Sequence, residues 1–497
     1  MIKILDCTLR DGGYYTNWDF DADLTLEYFK LANLLPLDYL EVGYRSIIQE
    51  EYYGEFFFMP ISTFQKISSL TDKKISIMIN AKDFIDVDVR SIINDTKDYV
   101  SLVRIAIQPN NIEFGIELAI SVKSMGFEVG LNIMQISTLD ADHILFDHLK
   151  GIENFVDYLY LVDSYGSIYP EELREMLDKV QSQTNVDLGF HGHNNVELAF
   201  ANSIVAINNN VSIIDATVLG MGRGAGNLKL ELILGYLNSK REIKVDLNLL
   251  GRYVELFYPL LDIHRWGINL AYIVSGCYSL PQKEVMDALE INRYSLSGIV
   301  SKLRSNLKLQ LPEYAPTEET KSCLIVGGGS TIRKHIGALT TYLSKNRNIV
   351  LLHATSRYLD LFSDLKNKQY FAMTGDELLK LEPISGIHKY ILGPDLNTTE
   401  NIRYQPESLY QLKEISFTSK YPDSPLSAGL QIALEMSCQS IYLAGFDGYE
   451  ELKNKKDLYL MNENQDILNI FSSNYSVVSL TPTKYKNIKQ QSIYCKI

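Results

Sequence analysis

The sequence predicts an α/β protein: a (β/α)8 TIM barrel with an appended helical module, followed by a second, Rossmann-like α/β domain. Three observations predict it. Short apolar runs alternate with longer amphipathic stretches through residues 1–238, as parallel strands alternate with helices. Polar residues fall at or just past the carboxyl ends of those runs, the face on which barrel enzymes build their sites. A fresh strand–helix alternation begins after residue 320, beyond a proline-containing stretch.

The candidate barrel strands are Ile2–Leu5, Tyr39–Val42, Ile75–Ile79, Leu102–Ile107, Val129–Met134, Tyr158–Val162, Val186–Phe190 and Ile213–Val218. At their ends stand Asp11, Glu41, Asn80, Asn132, Asp163, His191, His193 and Thr217; Glu41, Asn132 and Asp163 are candidate substrate-binding residues. Residues 239–311 change character. Leucine and isoleucine spaced by charges predict helices over Leu247–Leu261 and Gln282–Leu307, forming a module over the barrel mouth. Residues 311–319 read as a linker.

The domain expected at 320–497 opens with a strand from Ser322, and further strands are expected at Ile349–His353, Tyr390–Gly393 and Ser440–Ala444. Between its first strand and the helix that follows, Gly327, Gly328, Gly329 and Ser330 offer backbone N–H groups, a candidate anion or nucleotide-phosphate cradle. Ile332 stands where a dinucleotide fingerprint has its third glycine, and a tight turn accounts for the glycines equally well. Asp447 marks another strand end.

At 497 residues the chain is too long for one core, and 46% hydrophobic with 22% charged residues is the balance of a globular protein. A formal net charge of -14 argues against a general binder of nucleic acid or anionic membrane. A local cationic site can still take a small anion. The cysteines at 7, 277, 323, 438 and 495 are scattered without a C-x-x-C pair, which fits a reducing compartment and offers no thiolate metal site. Charge interrupts the first residues too soon for a signal peptide, and no run approaches the ~20 apolar residues of a membrane span. The expectation is a cytoplasmic protein acting on small molecules, with a homo-oligomer as a candidate assembly.

The chemistry gathers at two places. His191-Gly192-His193-Asn194-Asn195 ends an apolar run, and strand alternation points both imidazoles the same way, as sharing one cation requires. The opening segment, Asp6-Cys7-Thr8-Leu9-Arg10-Asp11-Gly12-Gly13, supplies a carboxylate at another strand end.

Leu9-Arg10-Asp11-Gly12, His191-Gly192-His193-Asn194 and Gly220-Met221-Gly222-Arg223-Gly224-Ala225-Gly226-Asn227 resemble the DRE-TIM (HMGL-like) metallolyases over about residues 1–310. Asp163-Ser164-Tyr165-Gly166 makes the resemblance nearest to the 4-hydroxy-2-oxovalerate aldolase branch. The resemblance implies Asp11, His191 and His193 as metal ligands, Asn227 as a further ligand or a neighbour of one, and Arg10 as enolate stabiliser. It implies a lyase or aldolase that works through the enolate of pyruvate or another 2-oxo acid, with an aldehyde as partner. The all-N,O ligand set favours Mn²⁺ or Mg²⁺, with Co²⁺ or Zn²⁺ as alternatives.

One position departs from the aldolase pattern. Tyr14 stands where the aldolases carry a catalytic histidine, so Tyr14 is the candidate proton-transfer residue, although a phenol of pKa ~10 is a weaker base than imidazole. Two rivals stay open: a Claisen-type acyl-CoA-dependent acyltransferase of the isopropylmalate synthase kind, and a non-catalytic barrel serving as scaffold for the tail domain. The tail, from about 320 to 485, resembles glycosyltransferase- or sialyltransferase-like Rossmann domains of surface-polysaccharide proteins. That resemblance implies a nucleotide or sugar phosphate as ligand and a role in polysaccharide precursor synthesis.

Overall fold

The structure is a computed structural model. It describes residues 2–140, 143–280, 285, 299–300, 311–316, 320–374, 384–394, 407–449 and 455–497. The chain divides into two compact units, Met1–Met286 and Asp287–Ile497. Among the described residues no helix is long and apolar enough to cross a membrane.

The first unit is a closed barrel of eight parallel strands: β1 Lys3–Asp6, β2 Tyr39–Tyr44, β3 Lys74–Asn80, β4 Val100–Ile107, β5 Glu128–Ile133, β6 Tyr158–Asp163, β7 Asp187–Gly192 and β8 Ile213–Ala216. Each pairs with the next, and β8 closes on β1 through the register Lys3↔Ile213 to Asp6↔Ala216. Every expected strand is present, within a few residues of its expected ends. These segments are near-continuously apolar because both faces are covered, by the interior on one side and helices on the other. Leu5, Tyr39, Leu102, Tyr158, Tyr160 and Ile213 belong to a buried cluster contributed by the barrel strands.

β1 runs directly into a helix, Thr8–Thr16, that carries Arg10, Asp11 and Tyr14. Its two glycines are there for close packing. A Cβ on Gly13 would lie 2.1 Å from the Trp18 indole, and one on Gly12 would lie 2.6 Å from the Met221 sulfur. Trp18 Nε1 donates to the Arg10 carbonyl at 2.8 Å, so this turn is clamped from outside.

In the helical module, the single helix expected over Leu247–Leu261 is two helices, Leu247–Glu255 and Tyr258–His264. Pro259 causes the break: it has no N–H to continue the first helix but suits the opening turn of the second. A third helix, Leu270–Cys277, follows. The helix expected at Gln282–Leu307 falls almost wholly outside the described residues.

The second unit holds an eight-stranded parallel sheet in the order β13-β12-β11-β10-β9-β14-β15-β16. Its strands are β9 Ser322–Val326, β10 Val350–His353, β11 Gln369–Met373, β12 Lys389–Leu392, β13 Leu409–Gln411, β14 Ser440–Ala444, β15 Val477–Ser479 and β16 Lys489–Gln490. The chain adds strands outward from β9 to β13, then returns to lay β14 on the other side of β9. The sheet therefore switches direction between β9 and β14, where open α/β sheets form their binding crevice. The strands β11, β13, β15 and β16 were not expected; the last two have three and two residues, too short for a hydrophobic period to register.

Candidate active site

Barrel closure brings together side chains from opposite ends of the first unit. Asp11 follows β1, His191 lies in β7 and His193 just past it, and only β8 separates those strands. Asp11 Oδ2 lies 3.6 Å from His191 Nε2. The ligand atoms of Cys7, Asp11 and His191 all lie within 4.8 Å of one another. His193 stands outside that tightest set, its ring edge-on to His191 with centroids 4.9 Å apart. All four residues are buried.

Each imidazole is held by its Nδ1. His191 donates to Asp215 Oδ2 at 2.8 Å, and His193 donates to the Asp163 carbonyl at 2.8 Å. Those partners only accept, so the proton sits on Nδ1 and Nε2 keeps a bare lone pair, the orientation in which histidine binds a metal. Burial pushes the His193 pKa down to about 3, so that ring is neutral. Burial acts to raise the Asp11 carboxyl, but the Arg10 guanidinium opposes it, and the carboxyl is held below its ordinary value. The Cys7 thiol is pushed well up by burial and by Asp11, so it keeps its proton.

Asn227 completes the group. Its Nδ2 donates to Asp11 Oδ2 at 2.7 Å and to the Met221 carbonyl at 3.2 Å. Its Oδ1 is buried with no hydrogen-bond partner among the described residues. Such an orphaned acceptor costs about 1–3 kcal/mol unless something takes its lone pairs. The glycine-rich loop fixes this pose: Asn227 bridges to His193, and a Cβ on Gly222 would strike the Asn227 amide at 2.5 Å. An ionised carboxylate, two imidazoles with free Nε2 atoms and an orphaned amide oxygen fit a divalent ion with N and O preference.

Charged groups inside the barrel brace this cluster. Arg10 pairs with Asp11 through Nη1 and with Glu41 Oε1 through Nε at 3.1 Å. Burial acts to lower its pKa, but Asp11 and Glu41 outweigh that and hold it well above the ordinary value. Arg104 is fully buried, ion-pairs with Glu41, lies 2.5 Å from Asp215 Oδ2 and donates to Asn132 Oδ1 at 3.3 Å. An unbroken chain thus runs Arg10–Glu41–Arg104–Asp215–His191. Asp163 gives its two oxygens to the Ser167 and Ile168 backbone N–H groups, at 3.0 and 3.2 Å, and burial raises its pKa to about 6. The oxygens of Glu41, Asn132 and Asp163, expected to face substrate, are therefore engaged within the protein. Tyr14 presents its hydroxyl 3.0 Å from that of Tyr44.

Sequence reasoning missed Cys7, Tyr44, Arg104, Asp215 and Arg223. For two of them a signal existed. Arg104 and Asp215 each interrupt an otherwise apolar strand, and a charge in a doubly buried strand must have a buried partner.

In the second unit, a cavity of about 580 Å³ lies at the switch between β9 and β14, lined by Gly327 to Ser330, Arg357 and Glu463 among others. The protein itself already occupies the expected cradle: Asp447 Oδ2 accepts from the Thr331 backbone N–H at 2.9 Å and Oδ1 from the Thr331 hydroxyl. A Cβ on Gly329 would lie 2.3 Å from the Asp447 carboxyl, so that glycine makes room for it.

The HMGL-like family model matches residues 1–252. Among curated relatives, oxaloacetate decarboxylase of Mycobacterium tuberculosis is 24% identical over 315 residues, covering 60% of this chain and 89% of the relative. 4-Hydroxy-2-oxovalerate aldolase of Geobacillus thermodenitrificans is 26% identical over 290 residues, covering 56% and 82%. Among solved structures, the N-terminal domain of a candidate aldolase from Bacteroides vulgatus is 46% identical with TM-score 0.58, covering 60% of this chain and 99% of that one. The carboxyl transferase domain of Rhizobium etli pyruvate carboxylase, 14% identical with TM-score 0.50 over 61% of this chain and 55% of that one, shares the fold. The resemblance read from the Arg10, His191 and Asn227 motifs is borne out: the chain belongs to the HMGL-like family, and it is an enzyme of the carbon–carbon lyase class.

Proposed function

We propose that the barrel is a divalent-metal-dependent lyase or aldolase acting through the enolate of pyruvate or another 2-oxo acid, with an aldehyde as the second product or substrate. The carrying observation is the convergence of Asp11 on His191 beside an orphaned Asn227 oxygen, with Arg10 alongside. Both curated relatives described above are named for 2-oxo acid chemistry. Asp11, His191, His193 and Asn227 would hold the ion, Mn²⁺ or Mg²⁺ before Co²⁺ or Zn²⁺. When bound, it supplies a Lewis acid for the ketone and an anchor for the adjoining carboxylate. Arg10, fixed by Asp11 and Glu41, would donate where negative charge grows on the enolate oxygen. The Tyr14–Tyr44 hydroxyl pair carries the proton. In cleavage it leaves the substrate hydroxyl as the C–C bond breaks and the bonding pair enters the enolate. It returns to C3 to give the 2-oxo acid, while the aldehyde departs.

In the second unit a nucleotide or sugar phosphate would enter the switch-point cavity, with Arg357 rather than the glycine turn as its cationic contact. A cytoplasmic enzyme of surface-polysaccharide precursor synthesis is the corresponding role.

The test is exchange of the C3 protons of 2-oxo acids in D2O, followed by proton NMR. Exchange abolished by exhaustive chelation and restored by Mn²⁺ supports the reading. Exchange that survives chelation, or none with any 2-oxo acid, sinks it. Release of coenzyme A from an acyl-CoA in the same mixture would assign the Claisen alternative instead.

A further inference from the structure

The glycine-rich loop carries one charge that the site described so far does not use. Arg223 is part-buried, and its guanidinium lies over the Tyr14 ring, 4.3 Å from the centroid. Its Nε is buried without an acceptor, and among the described residues no carboxylate stands within ion-pair distance of it. The two arginines inside the barrel, Arg10 and Arg104, are both neutralised by close carboxylates. A guanidinium stacked on an aromatic face keeps its N–H edge available to a carboxylate or phosphate.

Its position says which part of a substrate it meets. The Asp11, His191 and Asn227 cluster suits the carboxylate and ketone oxygens of the 2-oxo acid. Arg223 stands instead against Tyr14, the residue to which the reading above gives the hydroxyl proton of the aldehyde half. We propose that Arg223 selects the aldehyde partner by binding an anionic group on it, a phosphate or a carboxylate, and thus acts as the specificity-determining residue of the site. The inference rests on the enolate reading above. An acetaldehyde-sized partner would leave this guanidinium, with its buried Nε, without an anion, so neutral aldehydes are disfavoured.

Two measurements on the full-length, Mn²⁺-loaded enzyme test it. C3 exchange of pyruvate, 2-oxobutyrate and oxaloacetate in D2O first establishes the enolate; no exchange overturns both readings together. Condensation is then run in competition, D-glyceraldehyde 3-phosphate against D-glyceraldehyde and succinic semialdehyde against butyraldehyde, with products separated by mass. Wild type should favour at least one anionic member by about 30-fold or more in kcat/KM, the lower range for a desolvated charge pair. Arg223→Ala should bring that ratio near one, mainly through KM, and Arg223→Lys should keep part of it. A ratio taken within one sample does not depend on how much of a variant is folded. The phosphate and carboxylate arms show which anion is meant. Exchange with no anionic preference in wild type, or a preference that persists in Arg223→Ala, overturns the proposal and leaves the enolate reading standing.

Discussion

Each unit buries a histidine near the carboxyl end of a parallel strand, yet the two are put to opposite use. In the barrel, His191 is held through Nδ1 by Asp215, and its Nε2 faces Asp11 at 3.6 Å. In the second unit, His353 ends β10 and donates Nε2–H to Gln369 Oε1 at 2.8 Å, with Gln369 fixed in turn by the Phe362 carbonyl. Its ring packs against Phe362, and its Nδ1 is without a partner among the described residues. The acids show the same contrast: Asp11 faces imidazole, whereas Asp447 caps a helix. Position on the fold does not make a site. What faces the open ring nitrogen does.

The largest effect that could break this contrast is on chemistry. His191→Ala should remove stoichiometric metal, seen by elemental analysis, and slow C3 exchange about a thousandfold, the equivalent of losing several kcal/mol of charge stabilisation. His353→Leu should leave exchange within about twofold; equal losses in both would erase the distinction.

Next in size is pH. Burial lowers the His353 pKa from the ordinary 6.5 to about 4. Between those values the unfolded chain binds the extra proton and the native state does not, so stability is complete above pH 6.5 and lost as pH falls towards 4. The loss is about 3 kcal/mol. Urea unfolding at pH 7 and pH 4.5 reads it, and His353→Leu should flatten the difference. A wild-type second unit equally stable at both values would contradict a neutral, buried His353.

Asp215→Asn sharpens the barrel half. It keeps the shape but removes the charge that orients His191, and metal affinity should fall about 10–100-fold by titration. The smallest effect belongs to the second unit: Asp447→Ala uncaps the helix Thr331–Lys345 and should cost about 1 kcal/mol in denaturation midpoint analysis. If inorganic phosphate then protects the variant from unfolding more than wild type, the glycine turn is an anion cradle blocked by its own carboxylate.

The barrel was legible because burial on both faces writes each strand as a short apolar run, and because motifs at strand ends carry their own chemistry. The helix Thr8–Thr16 was not, since paired glycines disfavour a helix and only the close approach of Trp18 and Met221 explains Gly12 and Gly13 within one. The break at Phe257 was available in Pro259 and was passed over. Asp447's occupation of the cradle could not be read, because it joins residues 116 apart in sequence. The same holds for Arg223, whose meaning comes from a ring more than 200 positions away and from the missing acceptor around it.

Arg104 imposes an asymmetry on how this site can change. One wholly buried guanidinium is the hub between the spoke that steadies Arg10 and the spoke that steadies His191. Replacing it with an apolar side chain takes a charge partner from two buried carboxylates at once, so the hub is best altered together with Glu41 and Asp215. Tyr14 and Arg223, at the rim, carry no such obligation. New substrates can therefore be acquired one residue at a time from the outside, while the axle of the barrel stays fixed.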